Sequence, residues 1–299
     1  MEGGAELLKH GTNQPEVEES KCNGCELCVT VCPSFVLEMR DKKAEVVRGA
    51  WCIGCDHCGA VCPTEAILHN GSSKRECRLE TGPVPSPEAL QRLFLERRSL
   101  RVYKKEPVSE ALLKQILEAG RYAPTGTNSQ NVHYLLLTSP EKIDQLRDMT
   151  INFYNKIFSR FQSWFGSLML SWIAGQKTVE YLRESLPKFE HAYKKMKEGG
   201  DRLFYHAPVV VLTHAESWDS SSSFNCSSAL YQCSLMAQSL DLGCCFNGIL
   251  VNAVNRNHKI KGWLDIPADH ACYAAMTLGY PDVQYERPVH RDPPKVTWL

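Results

Sequence analysis

Cys22-Asn-Gly-Cys25-Glu-Leu-Cys28-Val-Thr-Val-Cys32-Pro33 is repeated as Cys52-Ile-Gly-Cys55-Asp-His-Cys58-Gly-Ala-Val-Cys62-Pro63. Each run reads C-x2-C-x2-C-x3-C-P, and together they place eight thiols in two tight turns. Zinc sites ask for four ligands each, usually as two separated C-x2-C pairs, and do not call for this spacing twice. A disulfide framework needs an oxidising compartment, for which the chain carries no signal. The array therefore reads as a ligand set for a larger inorganic group.

The doubled pattern resembles bacterial-type two-cluster ferredoxins over about residues 18–70. That resemblance implies that three thiolates of a run take three corners of one [4Fe-4S] cube. The fourth Cys, turned away by the following Pro, reaches the other cube. Cys22, Cys25, Cys28 and Cys62 then hold one cluster, and Cys52, Cys55, Cys58 and Cys32 the second. Ser34–Met39 and Lys43–Arg48 read as strand and turn pieces between the runs. Ala66-Ile67-Leu68 repeats the apolar exit Phe35-Val36-Leu37. So small a unit has little apolar core, and the ligand bonds must hold it together.

At 299 residues the chain is long enough for a second, larger domain. Its 34 basic residues balance 34 acidic ones, and no basic cluster stands out, which argues against a nucleic-acid partner. Of 14 cysteines, six lie outside the runs (Cys77, Cys226, Cys233, Cys244, Cys245, Cys272) and share no ligand spacing. They are expected as free thiols in a reducing cytosol. Met1–Glu19 is polar and reads as a flexible lead-in. No apolar run has the length to span a bilayer, so a soluble, cytoplasmic protein is expected. The expected organisation is a flexible terminus (1–17), the cysteine unit (18–70), a linker rich in Pro, Gly and Ser (71–87), and a domain over 88–299.

Ser86-Pro87-Glu88 gives that domain a helix start, and Leu90, Leu93 and Phe94 supply its stripe. Glu96-Arg97-Arg98-Ser99-Leu100-Arg101-Val102-Tyr103 follows, with three arginines and a hydroxyl at the helix exit. Guanidinium forks match phosphate oxygens in pairs, although basic residues also suit a helix C-terminus without any ligand. Val108–Gly120 is an amphipathic helix with Leu112, Ile116 and Leu117 inward and Gly120 as its stop. It leads through Arg121-Tyr-Ala-Pro124-Thr-Gly-Thr-Asn128-Ser-Gln130 into a strand at His133–Thr138. Val209–Leu212 is a β-branched run expected of a central strand. Asn225–Leu240 is a helix rich in small residues, Leu242–Gly248 a turn, and His270–Leu278 a last strand before Gly279-Tyr280-Pro281.

This order of motifs resembles the nitroreductase family of FMN proteins over about residues 88–299. The resemblance implies an α+β fold with a central mixed sheet flanked by helices, assembled as a homodimer on the small-residue helix. It implies FMN held at its phosphate by Arg97, Arg98, Ser99, Arg101 and Arg291, with Arg287 as a second candidate in the tail. Pro124, Thr125, Gly126 and Asn128 are expected along the flavin edge. Cys245, Phe246, Asn247 and Gly248 are expected at its reactive side, where Gly allows backbone to approach a flat ring and Asn247 could bond flavin or substrate. No general acid is assigned. Relatives commonly carry Pro-Trp where this chain has Asn131-Val132, so one pocket wall departs from the pattern. Adjacent Cys244 and Cys245 read as packing residues, since neighbouring cysteines rarely close an unstrained disulfide. The segment 150–200 is helical and aromatic. Most of its rings are expected in packing, with Tyr154, Trp164 and Trp172 as pocket candidates.

No G-x-G-x-x-G follows a strand, which removes a Rossmann site and leaves NAD(P)H as a donor that the family binds directly over the flavin. The attached cysteine unit implies another inlet, from reduced ferredoxin through the clusters. Three functions are consistent with the pairing. One is FMN-dependent reduction of a small electron-poor molecule such as a nitroaromatic, a quinone or an activated alkene. Another is reductive dehalogenation. The third is an electron-transfer or redox-sensing module serving a protein partner.

Overall fold

The computed structural model describes residues 14–69, 82–161 and 176–299. Expectations for the lead-in, most of the linker, Cys77, Trp164 and Trp172 lie outside the described residues. The chain divides into two compact units: Met1–Val84 with Gly126–Ser129, and Pro85–Thr125 with Gln130–Leu299.

The first unit is a doubled motif. Strand β1 (Pro15–Val17) precedes the first cysteine run, whose last thiols lie on and just after a short helix, α1 (Leu27–Thr30). A hairpin of β2 (Leu37–Arg40) and β3 (Lys43–Val46) follows, and then the second run with α2 (His57–Val61) and β4 (Ile67–His69). β1 pairs antiparallel with β4, Pro15 opposite His69 and Val17 opposite Ile67, so the strand that opens the unit is closed by its last. The hairpin turns at Asp41-Lys42, both left-handed (φ 46° and 63°), the geometry that matches strand twist. The two halves repeat one backbone device: Glu26 (φ 66°) and Asp56 (φ 61°) launch the helices, and Phe35 and Glu65 (both φ 54°) follow the Cys-Pro steps. The core consists of Val36, Leu37, Ala44 and Ile67 packed around Cys28, Cys52 and Cys58.

The second unit is built on a four-stranded sheet. Its strands are β5 (His133–Leu137), β6 (Val209–Glu216), β7 (Gly243–Phe246) and β8 (His270–Gly279), in the order β5-β6-β8-β7. All three pairings are antiparallel rather than mixed as expected, and among the described residues one isolated parallel bridge joins Ser99 to Cys244 at the sheet's end. β6 is buried from Val209 to Ala215, as expected of an interior strand. Alternation along it feeds two cores. Val210 and Leu212 join Leu146, Phe204, Leu250 and Ile260. Val209 and Val211 join Ile116, Leu230, Cys233 and Met276.

The helices are α3 (Pro87–Glu96), α4 (Glu110–Arg121), α5 (Pro140–Phe161), α6 (Gln176–Lys197), α7 (Ser222–Ser239), α8 (Gly248–Arg256) and α9 (His258–Trp263). Ser86 caps α3 by accepting from the Ala89 N–H, and Ser109 caps α4 from Leu112. Several expectations need correction. The α3 stripe is not a core face: no residue of the helix is buried, and Leu90, Phe94 and Leu95 are exposed. In α4 the buried residues are Leu113, Ile116 and Gly120, with Leu112 and Leu117 half-buried, so the inward face is rotated from the expected one. The small residues of α7 pack inside the second unit. Ala229, Cys233 and Ala237 are fully buried, and at Gly120 of α4 an added Cβ would lie 2.5 Å from the Cys233 sulfur. Leu242–Gly248 is not one turn but strand β7 followed by the start of α8. Among the described residues, no helix is long and apolar enough to cross a membrane.

Candidate cofactor sites

The eight run cysteines separate into two pockets that do not follow the runs. Cys22, Cys25, Cys28 and Cys62 line one, and Cys32, Cys52, Cys55 and Cys58 line the other. The fourth thiol of each run thus sits with the first three of the other. Backbone N–H groups already point at four of the sulfurs: Val36 at Cys32 (3.3 Å), Ala44 at Cys22 (3.5 Å), Gly54 at Cys52 (3.4 Å) and Ala66 at Cys62 (3.3 Å). Burial pushes the Cys58 thiol up to about 12, with Asp56 and the neighbouring thiols adding to it, and raises Cys28 and Cys52 as well. Burial works the same way on Cys62, but donors from Thr64 and Ala66 outweigh it and leave that thiol lowered. Buried thiolates of this kind need cationic compensation, which cluster iron provides. The donor set and the N–H groups aimed at sulfur fit the expected group.

Three supports were not legible in the spacing. His69, on β4, is buried; its Nε2 lies 3.4 Å from the Cys58 sulfur and 3.3 Å from Asp56 Oδ1. The Lys43 ammonium donates to the carbonyls of Cys22 (2.5 Å) and Glu19 (3.0 Å), tying the hairpin to the first run. The Thr64 hydroxyl lies 3.6 Å from the Cys62 sulfur.

In the second unit the arginine segment runs beside the end of the sheet. The Leu100 N–H donates to the Cys244 carbonyl (2.9 Å), the Lys104 N–H to Tyr280 (2.9 Å), and the Asp282 N–H to Val102 (3.0 Å). Gly243 is required for that approach, since a Cβ there would lie 2.5 Å from Leu100 Cδ2. Buried Tyr103 fixes the segment to β8: its hydroxyl donates to the Leu100 carbonyl (2.9 Å) and lies 2.8 Å from Thr277 Oγ1. Arg97 lies over the Tyr231 ring, Arg98 over Tyr285 and Arg101 over Tyr205. Arg98 donates to the carbonyls of Leu95 (2.8 Å) and Arg287 (2.7 Å), while its buried Nε has no partner among the described residues.

The nitroreductase family profile matches residues 95–280. The chain belongs to the nitroreductase family. A 4Fe-4S dicluster domain profile matches residues 21–66 ahead of it, so this nitroreductase carries an N-terminal iron–sulfur domain. Among curated proteins, a 4-nitrobenzoate reductase of Nocardioides sp. (strain LMS-CY) is 24% identical over 229 residues, covering 68% of this chain and 84% of that protein. Among solved structures, an FMN-bound nitroreductase of Bacteroides fragilis shares the fold with a TM-score of 0.50 at 20% identity, over 70% of this chain and 98% of that one. One from Desulfitobacterium hafniense, also with FMN, gives 0.50 at 21% identity, over 70% and 97%.

The remaining expected residues of the nitroreductase domain are dispersed in role. β7 places Cys245 and half-exposed Phe246 beside the arginine segment, and a Cβ added at Gly248 would meet nothing within 4 Å. Asn247 caps α8: its Oδ1 accepts from the Leu250 N–H (3.0 Å) and its Nδ2 donates to the Leu203 carbonyl (2.8 Å). Both ends of that amide are engaged in positioning the helix. Thr125 Oγ1 accepts from the Gln130 N–H (3.1 Å), and Pro124 precedes it. Gly126 and Asn128 group with the first unit, where Asn128 Nδ2 donates to the Ile53 carbonyl (3.2 Å). Arg287 meets Arg98 through its carbonyl, and Arg291 is exposed farther along the tail. The Tyr154 hydroxyl donates to the Ile249 carbonyl (3.0 Å), and its ring packs edge-on against Phe153. Cys244 is buried with its thiol raised to about 11, chiefly by that burial, consistent with packing rather than redox use.

Proposed function

We propose that this nitroreductase is an FMN-dependent reductase of a small, electron-poor substrate, supplied with electrons through two [4Fe-4S] clusters. The observation that carries the reading is the pair of four-cysteine pockets in the same chain as a nitroreductase domain. Clusters supply electrons singly, and FMN, when bound, supplies them singly or in pairs. Arg97, Arg98, Ser99 and Arg101 would hold the phosphate end, with Arg287 or Arg291 from the tail. The orphaned Nε of Arg98 is a donor in need of an acceptor, which supports that assignment. The open space at Gly248 and the backbone of Cys245 and Phe246 suit a flat ring. Asn247 serves as a positioning residue there, holding the first turn of α8 in place.

A nitroaromatic is the favoured substrate class, in keeping with the 4-nitrobenzoate reductase among the relatives. Reduced ferredoxin is the favoured donor, with NAD(P)H second. A homodimer is expected on the exposed face of α7, where Phe224 and Tyr231 project (59% and 43% exposed), rather than on its small residues. Sedimentation giving a monomer with full FMN content would remove that expectation.

The deciding experiment is anaerobic stopped-flow on the reconstituted, reduced full chain. Nitroaromatics, quinones, activated alkenes and aryl halides would be mixed in turn, and flavin reoxidation followed. Fast reoxidation by one of the first three classes is expected. Reoxidation by aryl halides alone, with halide release, would replace this reading with dehalogenation. Reoxidation only by protein electron acceptors would replace it with electron transfer.

A further inference from the structure

At one corner of the second unit's sheet, β5 begins, β6 ends and β8 begins. Three imidazoles and a carboxylate meet there. His133 stands opposite His214 in the β5–β6 register, and Glu216 stands opposite His270 in the β6–β8 register. A register shift between Thr213 and His214 accompanies the pairing with β8. Bulges often re-aim side chains at functional positions. Ring centroids are 5.1 Å apart for His133 and His214, 5.0 Å for His133 and His270, and 5.1 Å for His214 and His270. His133, Glu216 and His270 each offer one ligand atom, and these atoms all lie within 4.8 Å of one another.

We infer that His133, Glu216 and His270 form a binding site for a divalent first-row transition metal of the zinc class. Two imidazoles and one carboxylate are a competent set for such an ion, with a remaining position left to water. Ligand atoms around a tetrahedral ion are about 3.4 Å apart, given metal–ligand bonds of about 2.0–2.1 Å. Modest side-chain rotation from the observed separation reaches that spacing. Exposed His133 gives the ion a route in from solvent, while His270 is 8% exposed.

The groups behind the ligands strengthen the assignment. Asn131 Nδ2 donates to Glu216 Oε2 (3.0 Å), which leaves Oε1 for an ion. Asn131 is oriented in turn by the Asn225 amide, which donates to its Oδ1 (3.0 Å). His214 Nδ1 and His270 Nδ1 are 2.9 Å apart, so one ring must donate and the other accept. If His270 is the donor, its Nε2 lone pair is available to the metal, and its other nitrogen makes the second contact that metal-bound imidazoles almost always make. Lys261 donates to the His270 carbonyl (2.5 Å) and fixes the start of β8. The ion would tie three strands together at this corner of the sheet.

The test is zinc binding to the full chain with its clusters in place, with iron measured in the same samples. Wild type should take up one more zinc per chain than His133→Ala without losing iron. Glu216→Gln should bind zinc at least a hundredfold more weakly. Asn131→Ala should bind about tenfold more weakly, the loss typical of removing a group behind a ligand. His133 is exposed at the beginning of an edge strand, so its replacement leaves the fold intact. The inference is overturned if wild type takes up no zinc while keeping its iron, or if His133→Ala takes up as much. Those outcomes would leave a hydrogen-bonded histidine cluster only.

Discussion

Arg98 donates to the carbonyl of Arg287 at 2.7 Å, joining the segment that follows α3 to the tail that follows β8. The guanidinium also holds the Leu95 carbonyl and keeps one buried N–H without a partner. It is thus a structural clasp, and the proposed phosphate site rests in part on that unpartnered N–H.

Replacing Arg98 with alanine should weaken FMN binding by about 2 kcal/mol, within the range for hydrogen bonds to charged groups. That corresponds to roughly a 30-fold higher Kd. Arg98→Lys should recover the charge but not the two-carbonyl clasp, giving an intermediate loss. FMN titration of apo-protein, compared at equal fold content by circular dichroism, measures both. Unchanged FMN affinity in both variants would place the phosphate elsewhere.

The distribution of the eight thiols between two pockets makes a prediction about pairs of mutations. Reconstituted wild type should hold about eight iron and eight sulfide, and Cys32→Ser about four of each. Adding Cys52→Ser to Cys32→Ser should cost no further iron, because both serve one pocket. Adding Cys22→Ser should remove the rest. Self-contained runs would give the opposite pattern in iron analysis.

Tyr103→Phe should destabilise the second unit by about 1–2 kcal/mol. The change removes a hydroxyl bonded to Leu100 and Thr277, taking the side-chain donor from the Leu100 carbonyl and leaving the Thr277 hydroxyl only its bond to the Cys245 carbonyl. Urea unfolding followed by the nitroreductase domain's signal reads the loss. A shift below a few tenths of a kcal/mol would show that the arginine segment is held by its backbone bonds alone.

Buried thiols give the domain an alkaline limit. Burial pushes Cys226, Cys233 and Cys272 up to about 12 from an unfolded value near 9. Between those values the folded chain holds protons that the unfolded chain has released, so stability falls as pH rises. Below pH 9 both states are protonated and the effect is absent. The urea midpoint should drop between pH 8 and pH 10.5, and less steeply in Cys233→Ala. A variant with an unchanged slope would show that these thiols do not contribute.

The doubled cysteine runs and the order of the later motifs were enough to suggest an iron–sulfur unit ahead of a nitroreductase domain, and the family profiles match both. The interleaved thiol sets, implied by the resemblance to two-cluster ferredoxins, agree with how the thiols group in two pockets. The helix start at Ser86 and the interior strand at Val209–Leu212 were legible as well, since they rest on local chemistry and β-branched composition, whereas the Ser109 cap of α4 was not read. Which faces are buried follows from tertiary packing. Leu90 and Phe94 have helical spacing but stay exposed, and the small residues of α7 are matched to α4 by the approach of Gly120 to Cys233. Leu242–Gly248 could be read as a turn because strand β7 is short and its pairing partner lies far along the chain. The meeting of His133, Glu216 and His270 had no sequence signal at all. It depends on strand register, and register is a property of the assembled sheet.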